Sequence, residues 1–468
     1  MKCRRLFLPL LLILIQIELS IGQHYDPTTL VFPNYLHTYG IRKATKFHLF
    51  MFLQNRVKFR NPQALAVVRL RSWDDLSTDN DDDEVTVFGV NSGQNNVIFN
   101  SSMTSLGVYG LNETGLNALN APYGIAANRQ GDVYIADTGN HRVVRFYNPG
   151  DDLKFSRPIG SQGTSPGQFT SPIGVALDSG GDLYVTDRDN HRIQVFDKND
   201  RFLRQFGAVG NRSLHLISPT AIAVIDAGDD WNFHRANFII VIDSLNKRIQ
   251  KLSMKGKLLS RTDALKFGYP DANLQWLAID YYGQIYATDN ENHCIHKFDL
   301  RLKHLTKYGR KGTGDKEFIS PTGITIYRRF GQVFVAEEAG AQYYWIGVDV
   351  FNFKVIFEKS NQWVKSRFFL TEPSFITADV YDSDEEFVTR ICRKKFMLSG
   401  FQYDYWRLNI KEFAADSTED RALIQSLKYT KLQQVPPGKY RIRYKFEPTY
   451  SSYHYFFKEK EENVFIEY

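Results

Sequence analysis

The chain has 468 residues, which is longer than one ordinary domain of roughly 100 to 200 residues unless a repeat extends it. Apolar residues make up 43%, with 35 Phe and 26 Tyr, so a core rich in strand-forming aromatics is expected and disorder is not. The net charge of +6 is small for this length and gives no sign of nucleic-acid binding, which needs basic residues concentrated on one face.

The N-terminus has the pattern of a secretory signal peptide. Basic residues precede an apolar run from Leu6 to Ile15, and the small residues Ser20 and Gly22 occupy the two positions that a signal peptidase reads. An uncleaved membrane anchor is the alternative, but the run is shorter than the roughly 20 residues that span a bilayer. We therefore expect residues 1–22 to be removed before Gln23 and the remaining chain to be secreted, with no segment that spans a membrane.

Three sequons agree with a secretory route, because the pattern Asn-x-Ser/Thr is the acceptor for N-glycosylation. They place the expected glycans on Asn100, Asn112 and Asn211. Outside the signal peptide two cysteines remain, Cys294 and Cys392, either as one bridge or as two free thiols. In both cases the chain lacks the dense disulfide framework of small secreted domains.

A segment that recurs six times between Pro62 and Phe351 predicts a six-bladed β-propeller. Each full copy opens with Pro and small residues, continues with a strand that ends in Asp, and turns through Asn-His-Arg into a third strand. The clearest copies are 122–146 and 172–196. Four short strands bounded by Gly and Asp turns fit one blade, so we expect a propeller over residues 30–351.

The remaining copies keep parts of this pattern. Copy five has Leu274 where Pro is expected and Cys294 where the turn has Arg, and copy six has Glu337 in place of the Asp. Copy one carries an acidic insertion, 79–84, whose oxygen ligands are of the kind that calcium prefers. Because the insertion lacks the Gly and the spacing of an EF-hand loop, a solvated loop is the favoured interpretation. The sequence predicts no cofactor and leaves only calcium open.

A strand without a blade of its own precedes the first copy. Residues 35–40, Tyr-Leu-His-Thr-Tyr-Gly, match the fourth strands 202–207 and 304–309, whereas copy six runs out after its third strand near Phe351. We expect residues 35–40 to complete blade six and close the ring, since an open array would leave exposed strand edges.

The turns 140–142 (Asn-His-Arg), 190–192 (Asn-His-Arg) and 292–294 (Asn-His-Cys) resemble those of the NHL repeat family. The resemblance covers roughly residues 30 to 350 and implies an all-β, six-bladed propeller. NHL propellers serve many functions, so the resemblance implies little about activity.

The period disappears from about Phe353, and a different all-β pattern begins. Segments 375–381 and 387–391 alternate in the manner of strands around a hairpin loop, and Pro-Pro-Gly-Lys-Tyr at 436–440 precedes a later strand. These segments resemble the immunoglobulin-like sandwich of the flagellar hook-capping family. A β-sandwich over residues 353–468 is therefore expected, with a role in adhesion or assembly implied by the resemblance.

Asp recurs at the end of the second strand of the copies, and His recurs in the turn that follows. This repetition favours a structural role, in which each carboxylate accepts hydrogen bonds from backbone amides or from an Arg three to five residues on. The same reasoning favours packing and hydrogen bonding over zinc binding for the His. The residues concerned are Asp137, Asp187, Asp243 and Asp289, with His141, His191 and His293.

The peptidyl-hydroxyglycine amidating lyases are similar to this chain in being secreted six-bladed NHL propellers. That resemblance implies zinc-binding histidines directly after the Pro that opens a blade. These positions hold no His or Cys in this chain, so no metal is expected at the axis and the lyase chemistry is disfavoured. The residues at these positions are Gln63, Tyr123, Ile173, Thr220, Gln275 and Thr322.

The sequence contains no nucleophile elbow, no phosphate-binding Gly loop and no zinc-finger spacing. We therefore favour a secreted, non-enzymatic scaffold that binds an extracellular protein, peptide or glycan through one propeller face. The six Pro-adjacent residues named above are its candidate contacts, and no residue is predicted to be catalytic. The rival hypothesis is a lyase or lactonase-type hydrolase that holds calcium in the channel through Asn91, Asp229 or Glu337.

Overall fold

The computed structural model describes residues 27–33, 42–54, 56–73, 85–102, 105–212, 214–338, 340–360, 363–407, 435–450, 452 and 455–467. The predicted signal peptide, the predicted closing strand at 35–40 and the acidic insertion at 79–84 lie outside these residues. The described chain is nearly all β, with one α-helix, and forms a six-bladed propeller followed by a β-sandwich. The predicted fold class is therefore confirmed.

Two short strands and the helix precede the first blade. They are β1 (Leu30–Val31), β2 (Lys43–Ala44) and α1 (Lys46–Leu53). In the part of the chain that the structure describes, no helix is both long enough and apolar enough to cross a bilayer.

Five blades are four-stranded antiparallel sheets of consecutive strands, as the repeat predicts. Blade one contains β3 (Pro62–Val68), β4 (Thr86–Asn91), β5 (Asn96–Ser102) and β6 (Ser105–Tyr109). Blade two contains β7 (Pro122–Ala127), β8 (Asp132–Asp137), β9 (Arg142–Tyr147) and β10 (Lys154–Ile159). Blade three contains β11 (Pro172–Leu177), β12 (Leu183–Asp187), β13 (Arg192–Phe196) and β14 (Phe202–Phe206), and is followed by the two-residue pair β15 (Ala208–Val209) and β16 (His215–Leu216).

The later blades continue the same order around the ring. Blade four contains β17 (Pro219–Ile225), β18 (Phe238–Asp243), β19 (Arg248–Leu252) and β20 (Leu258–Asp263). Blade five contains β21 (Leu274–Ile279), β22 (Ile285–Asp289), β23 (Cys294–Phe298) and β24 (His304–Tyr308), and is followed by the pair β25 (Arg310–Lys311) and β26 (Glu317–Phe318). Blade six contains β27 (Ile324–Tyr327), β28 (Gln332–Glu337) and β29 (Gly340–Ile346).

The innermost strands of the six blades pack side by side, and that of blade six returns to that of blade one, so the ring is closed. The small residues after the opening Pro are needed for this approach. A Cβ on Gly124 would lie 2.2 Å from the Ile173 carbonyl oxygen, and one on Gly174 would lie 2.3 Å from that of Thr220. At these two glycines the blade therefore meets the next through backbone, which a larger side chain would push away.

The N-terminal segment lies on the outer edge of blade six. Leu30 is paired with Ile346 and Val31 with Trp345, while Lys43 is paired with Gln342 and Ala44 with Ala341. The outer position of blade six is thus held by β1 and β2, on either side of the residues predicted to close the ring. Residues 35–40 are outside the described chain, so their own pairing stays a prediction.

The C-terminal sandwich has two antiparallel sheets that share one core. The first sheet contains β30 (Val350–Glu358), β31 (Trp363–Leu370) and β34 (Gly400–Arg407), and the second contains β32 (Ser374–Tyr381), β33 (Phe387–Met397), β35 (Gly438–Pro448) and β36 (Lys458–Ile466). Val364 and Phe368 of the first sheet pack in the same cluster as Ile442 and Phe446 of the second. The sandwich begins at Val350, slightly before the predicted boundary, and its immunoglobulin-like character remains a prediction.

The sandwich contacts blades five and six. The Tyr282 hydroxyl donates to the Thr449 hydroxyl at 2.7 Å, and the Gln284 amide donates to the Ser399 hydroxyl at 2.7 Å. At the centre of this contact, the ammonium of Lys297 in blade five donates to the carboxyl group of Glu372 in the sandwich, and both side chains are buried. The two domains are therefore joined by a hydrogen bond that is shielded from water.

Candidate functional site

The recurring Asp side chains hold the turns of their blades. All four are 0% exposed, and each accepts a hydrogen bond from a backbone amide of the preceding loop. The donors are Asn120 N to Asp137 at 2.7 Å, Thr170 N to Asp187 at 2.9 Å, Ile217 N to Asp243 at 2.7 Å and Asn273 N to Asp289 at 3.1 Å. These contacts fit the structural role that the sequence favours for the Asp residues.

In three blades an Arg also neutralises the buried carboxylate. Its Nε donates to the Asp five residues before it, and its remaining donors reach loop carbonyls. The pairs are Arg142 with Asp137 at 2.7 Å, Arg192 with Asp187 at 2.9 Å and Arg248 with Asp243 at 2.6 Å. Each pair is shielded from water and satisfied on both sides, which makes it part of the blade rather than a free acid.

The His of the turn joins one blade to the next. His191 and His293 have φ values of 54° and 51°, and their Nδ1 atoms accept the backbone amides of Ser218 and Ser320 at 3.0 and 2.9 Å. The Nδ1 atom of His141 instead faces a carbonyl, that of Thr170, to which it donates. The three rings therefore act between neighbouring blades.

The six Pro-adjacent residues lie at the start of the innermost strands, and their side chains make different contacts. The Thr322 hydroxyl donates to the Pro62 carbonyl at 2.8 Å, and the Gln63 amide donates to Asn61 at 2.7 Å. Ile173 is buried, whereas Tyr123 and Gln275 are half-buried. Thr220 is half-buried, and its carbonyl accepts the hydroxyl of Thr186.

A cavity of about 660 Å³ opens around the axis at the other end of the innermost strands. All six blades line it, and at one equivalent position each contributes a small side chain, so the ring leaves open space. These residues are Ala66, Ala126, Ala176, Ala223, Ala278 and Thr325. The six Pro-adjacent residues do not line the cavity.

The mouth of this cavity carries paired charges and an aromatic ring. The Arg328 guanidinium in blade six binds the Asp229 carboxylate and donates to the carbonyls of Val224 and Ile279, both at 3.0 Å. The half-buried ring of Trp231 lies under the guanidinium of Arg329, 5.3 Å from its carbon. Arg328 thus fixes one side of the mouth by bridging three blades.

A second charged cluster lies on the opposite side of the mouth. Arg145 binds Asp132 at 2.8 Å and Asp200 at 3.1 Å, and the Tyr134 hydroxyl donates to Asp200 at 3.0 Å. Burial, with Asp200 next in effect, raises the pKa of Tyr134. The hydroxyl therefore stays protonated and acts as a donor that holds the cluster in place.

The residues of the calcium hypothesis do not come together. Asn91 and Glu337 take the turn position that Asp holds in other blades, where Asn91 accepts Arg60 N at 2.7 Å and Glu337 accepts Ile319 N at 2.8 Å. Asp229 lies at the cavity mouth with Arg328. These three side chains occupy separate sites, each with its own partners.

Comparison with known proteins identifies the repeat. The NHL repeat family matches residues 119–146 and 169–196, which cover the turns of blades two and three. Blades two and three are NHL repeats. The predicted resemblance is confirmed by this match, and the ring can be called an NHL propeller.

The NHL propeller also resembles a curated relative. Protein brain tumor of Drosophila melanogaster is 28% identical over 188 residues, which is 40% of this chain. The match spans about 12% of the length of that relative.

Solved structures of similar shape include enzymes. A streptogramin B lyase has a TM-score of 0.41 at 12% identity, with 62% of this chain and 95% of that chain covered. A gluconolactonase of Xanthomonas campestris has a TM-score of 0.42 at 12% identity, with 70% and 99% covered. Similarities of this size carry no argument about chemistry.

Blade five of the NHL propeller contains a group of residues that the sequence reasoning missed. Asp289, Cys294 and His296 bring three potential metal-ligand atoms within 4.8 Å of one another, and all three residues are buried. Burial, together with Asp289, raises the pKa of the Cys294 thiol to about 12, so a free thiol here is not a nucleophile at neutral pH. One sequence feature could have indicated this group, namely Cys294 at the turn position that holds Arg in other blades. His296 could not be singled out, because it lies within a regular strand.

Proposed function

We propose that this protein is a non-enzymatic recognition scaffold that binds an extracellular protein or peptide at the mouth of the axial cavity. NHL repeats fit a protein-binding role. The cavity supports this site, because it is open, lined by every blade and bordered by fixed charged groups. A closed ring with backbone contacts between blades presents that mouth as a rigid surface, which reduces the entropy lost on binding.

The residues at the mouth are of the types that dominate binding energies. Trp and Arg are enriched among residues whose truncation weakens protein complexes most. Trp231 is half-buried at the mouth, and Arg71, which also lines the cavity, is exposed. We place the binding surface here rather than at the Pro-adjacent residues, which do not line the cavity.

The proposal includes secretion of the protein, and it gives the sandwich the role of positioning the propeller. The three sequons allow the secretory route to be tested. Asn112 and Asn211 are exposed, as a glycan acceptor must be. Asn100 is half-buried, and its amide bonds Val87 N at 2.6 Å and the Val85 carbonyl at 2.9 Å. In a eukaryotic secretory host we expect glycans on Asn112 and Asn211 and a largely unmodified Asn100, as measured by mass spectrometry of the secreted protein.

Selection from a random peptide display library on the immobilised, full-length protein tests the binding site. We expect enriched peptides whose affinity falls about 30-fold, close to 2 kcal/mol, in Trp231→Ala. The matched control is Tyr123→Ala at the opposite end of the axis, which should bind as the unchanged protein does.

Three results would contradict the proposal. Peptides that lose affinity for Tyr123→Ala and keep it for Trp231→Ala would move the surface to the other end of the ring. An absence of enriched peptides would reject peptide recognition. Turnover of a lactone by the metal-loaded protein would favour the rival hydrolase hypothesis.

A further inference from the structure

Blade five departs from its neighbours at the buried carboxylate. In blades two, three and four this carboxylate has a guanidinium within 2.9 Å. In blade five Cys294 takes the Arg position, and His296 takes the position of Gln194 in blade three and Gln250 in blade four. Asp289 is still 0% exposed, so the cation that accompanied it elsewhere has been exchanged for a thiol.

The exchanged side chains converge on one point. The Nε2 atom of His296 lies 3.0 Å from Oδ2 of Asp289 and 3.7 Å from Sγ of Cys294. Ligands of a tetrahedral zinc ion, at about 2.3 Å for sulfur and 2.0 Å for nitrogen, are separated by roughly 3.6 Å. The sulfur to nitrogen distance therefore already matches that of two ligands on one ion.

The orientation of the His296 ring is fixed from its other side. Its Nδ1 atom lies 3.1 Å from Nε2 of His304, and the rings of Phe267 and Tyr269 pack 5.1 and 4.7 Å from it, measured between centroids. A hydrogen bond at the second ring nitrogen, held within an apolar wall, is the usual support of a metal-binding His. Phe267 and Tyr269 belong to the loop before blade five.

The charges of the three side chains favour a divalent cation as the ligand of this site. A metal-bound thiolate and a carboxylate together carry two negative charges, which a divalent ion balances. Asp289 also accepts hydrogen bonds from Asn273 N, Asn292 N and the Asn292 side chain, which hold its carboxylate in place. Lys307, on the adjacent strand, is exposed, and its ammonium lies 5.2 Å from the centroid of the Tyr269 ring. One sulfur, one imidazole nitrogen and one carboxylate oxygen form a donor set that suits zinc.

We propose that Asp289, Cys294 and His296 bind one zinc ion, which replaces the guanidinium of the other blades as the partner of the buried carboxylate. The site lies in the wall of blade five, and none of its three residues lines the axial cavity. It is independent of what the cavity binds.

Elemental mass spectrometry on the full-length protein, loaded with zinc and desalted, tests the proposal. We expect about one zinc per chain in the unchanged protein and a loss of at least ten-fold in Cys294→Ser. The matched control is Cys392→Ser, at the other described cysteine, which should retain one zinc per chain.

Cobalt binding can be measured by absorption without changing Asp289, Cys294 or His296. In the double variant Cys3→Ser/Cys392→Ser, stripped of zinc and titrated with Co²⁺, a thiolate-to-cobalt charge-transfer band requires Cys294 as a ligand. We expect this band to saturate at one equivalent and to disappear when zinc is added. Less than about a tenth of a zinc per chain after loading, an unchanged zinc content in Cys294→Ser, or cobalt binding without the band would each overturn the proposal.

Discussion

Blades three and five surround an equivalent buried carboxylate with different side chains. Both bury an Asp at the end of the second strand, and both give its Oδ1 a backbone amide from the preceding loop. Blade three adds the Arg192 guanidinium, which also reaches the carbonyls of the loop before it. Blade five instead surrounds its Asp with Cys294 and His296 and packs against the sandwich through Lys297. The comparison shows that the buried carboxylate is retained while its partner can be exchanged.

The two blades also differ in the contacts that stabilise them. Blade three depends on contacts within itself and with its two neighbours in the ring. Blade five has a further surface against the sandwich, where Tyr282 and Gln284 make hydrogen bonds to its residues. Blade five is therefore held by the sandwich as well as by its neighbours in the ring.

The largest expected effect is at the two Asp residues. Asp187→Ala leaves the buried Arg192 without its anion, so we expect the free energy of unfolding to fall by about 3–5 kcal/mol. Asp289→Ala, in protein stripped of metal, leaves no guanidinium behind and should cost only about 1–3 kcal/mol. Denaturant unfolding of the two variants measures both values. Equal losses would mean that the two blades do not differ as described.

A smaller loss is expected where blade three meets blade four. In Gly174→Val the new Cβ would lie 2.3 Å from the Thr220 carbonyl oxygen, which is backbone and cannot turn away. We expect a loss of about 1–3 kcal/mol, measured by denaturant unfolding. The control is Gly438→Val in the sandwich, where the nearest atom is 3.6 Å away. A Gly174 variant as stable as its control would refute the close approach of the blades.

The contact of blade five with the sandwich should make stability depend on pH. Burial raises the pKa of Glu372 to about 8 and that of Asp280 to about 6, in both cases against the opposing effect of Lys297. The native state therefore holds protons that the unfolded chain has released above its ordinary pKa near 4. The resulting stability is present in acid and is lost as the pH rises through about 6 and then 8.

We expect the free energy of unfolding to decrease between pH 7 and pH 8, a range above the one in which the lowered pKa of His304 has the opposite effect, and the decrease to become smaller in Glu372→Gln. Denaturant unfolding at several pH values provides the measurement, with the exposed Glu385→Gln as a control that keeps the slope. A free energy of unfolding that rises over this range would contradict the assignment of the buried protons.

The smallest effect concerns one hydrogen bond between the domains. Tyr282→Phe removes the donor to Thr449 and should lower the free energy of unfolding by about 0.5–1.5 kcal/mol. Tyr184→Phe removes a bond of 3.2 Å to Asp178 inside blade three and serves as the comparison. Calorimetry shows whether the first variant separates the melting of sandwich and propeller while the second does not.

The repeat allowed much of the ring to be predicted. Strands begin at Pro62, Pro122, Pro172 and Pro219, where the sequence places them, because the fixed φ of Pro and the small residues after it suit a crowded innermost strand. Blade six differs, since its strand begins at Ile324, three residues after Pro321. Thr322 and Gly323 still exchange backbone hydrogen bonds with Ala336, so the pairing starts where the pattern indicates.

The candidate site could be predicted only in part. The roles of Asp187 and His191 follow from repetition, which is visible in the sequence. The axial cavity could not be predicted in this way, because it forms only where six small side chains, one from each blade, come together.

The strand order of the sandwich could not be predicted either. The pairing of Ser374 with Pro448 joins segments far apart in the chain, which local alternation cannot specify.

Closure by β1 and β2 has a consequence for biosynthesis. Their pairing partner β29 is translated roughly 300 residues later, which at about 5–20 residues per second is a delay of 15 to 60 seconds. During that interval five blades have emerged while the ring remains a crescent with two unsatisfied edges. The nascent crescent is therefore the form most in need of chaperone protection, and the protein becomes resistant to edge-to-edge association only when its first strands meet its last blade.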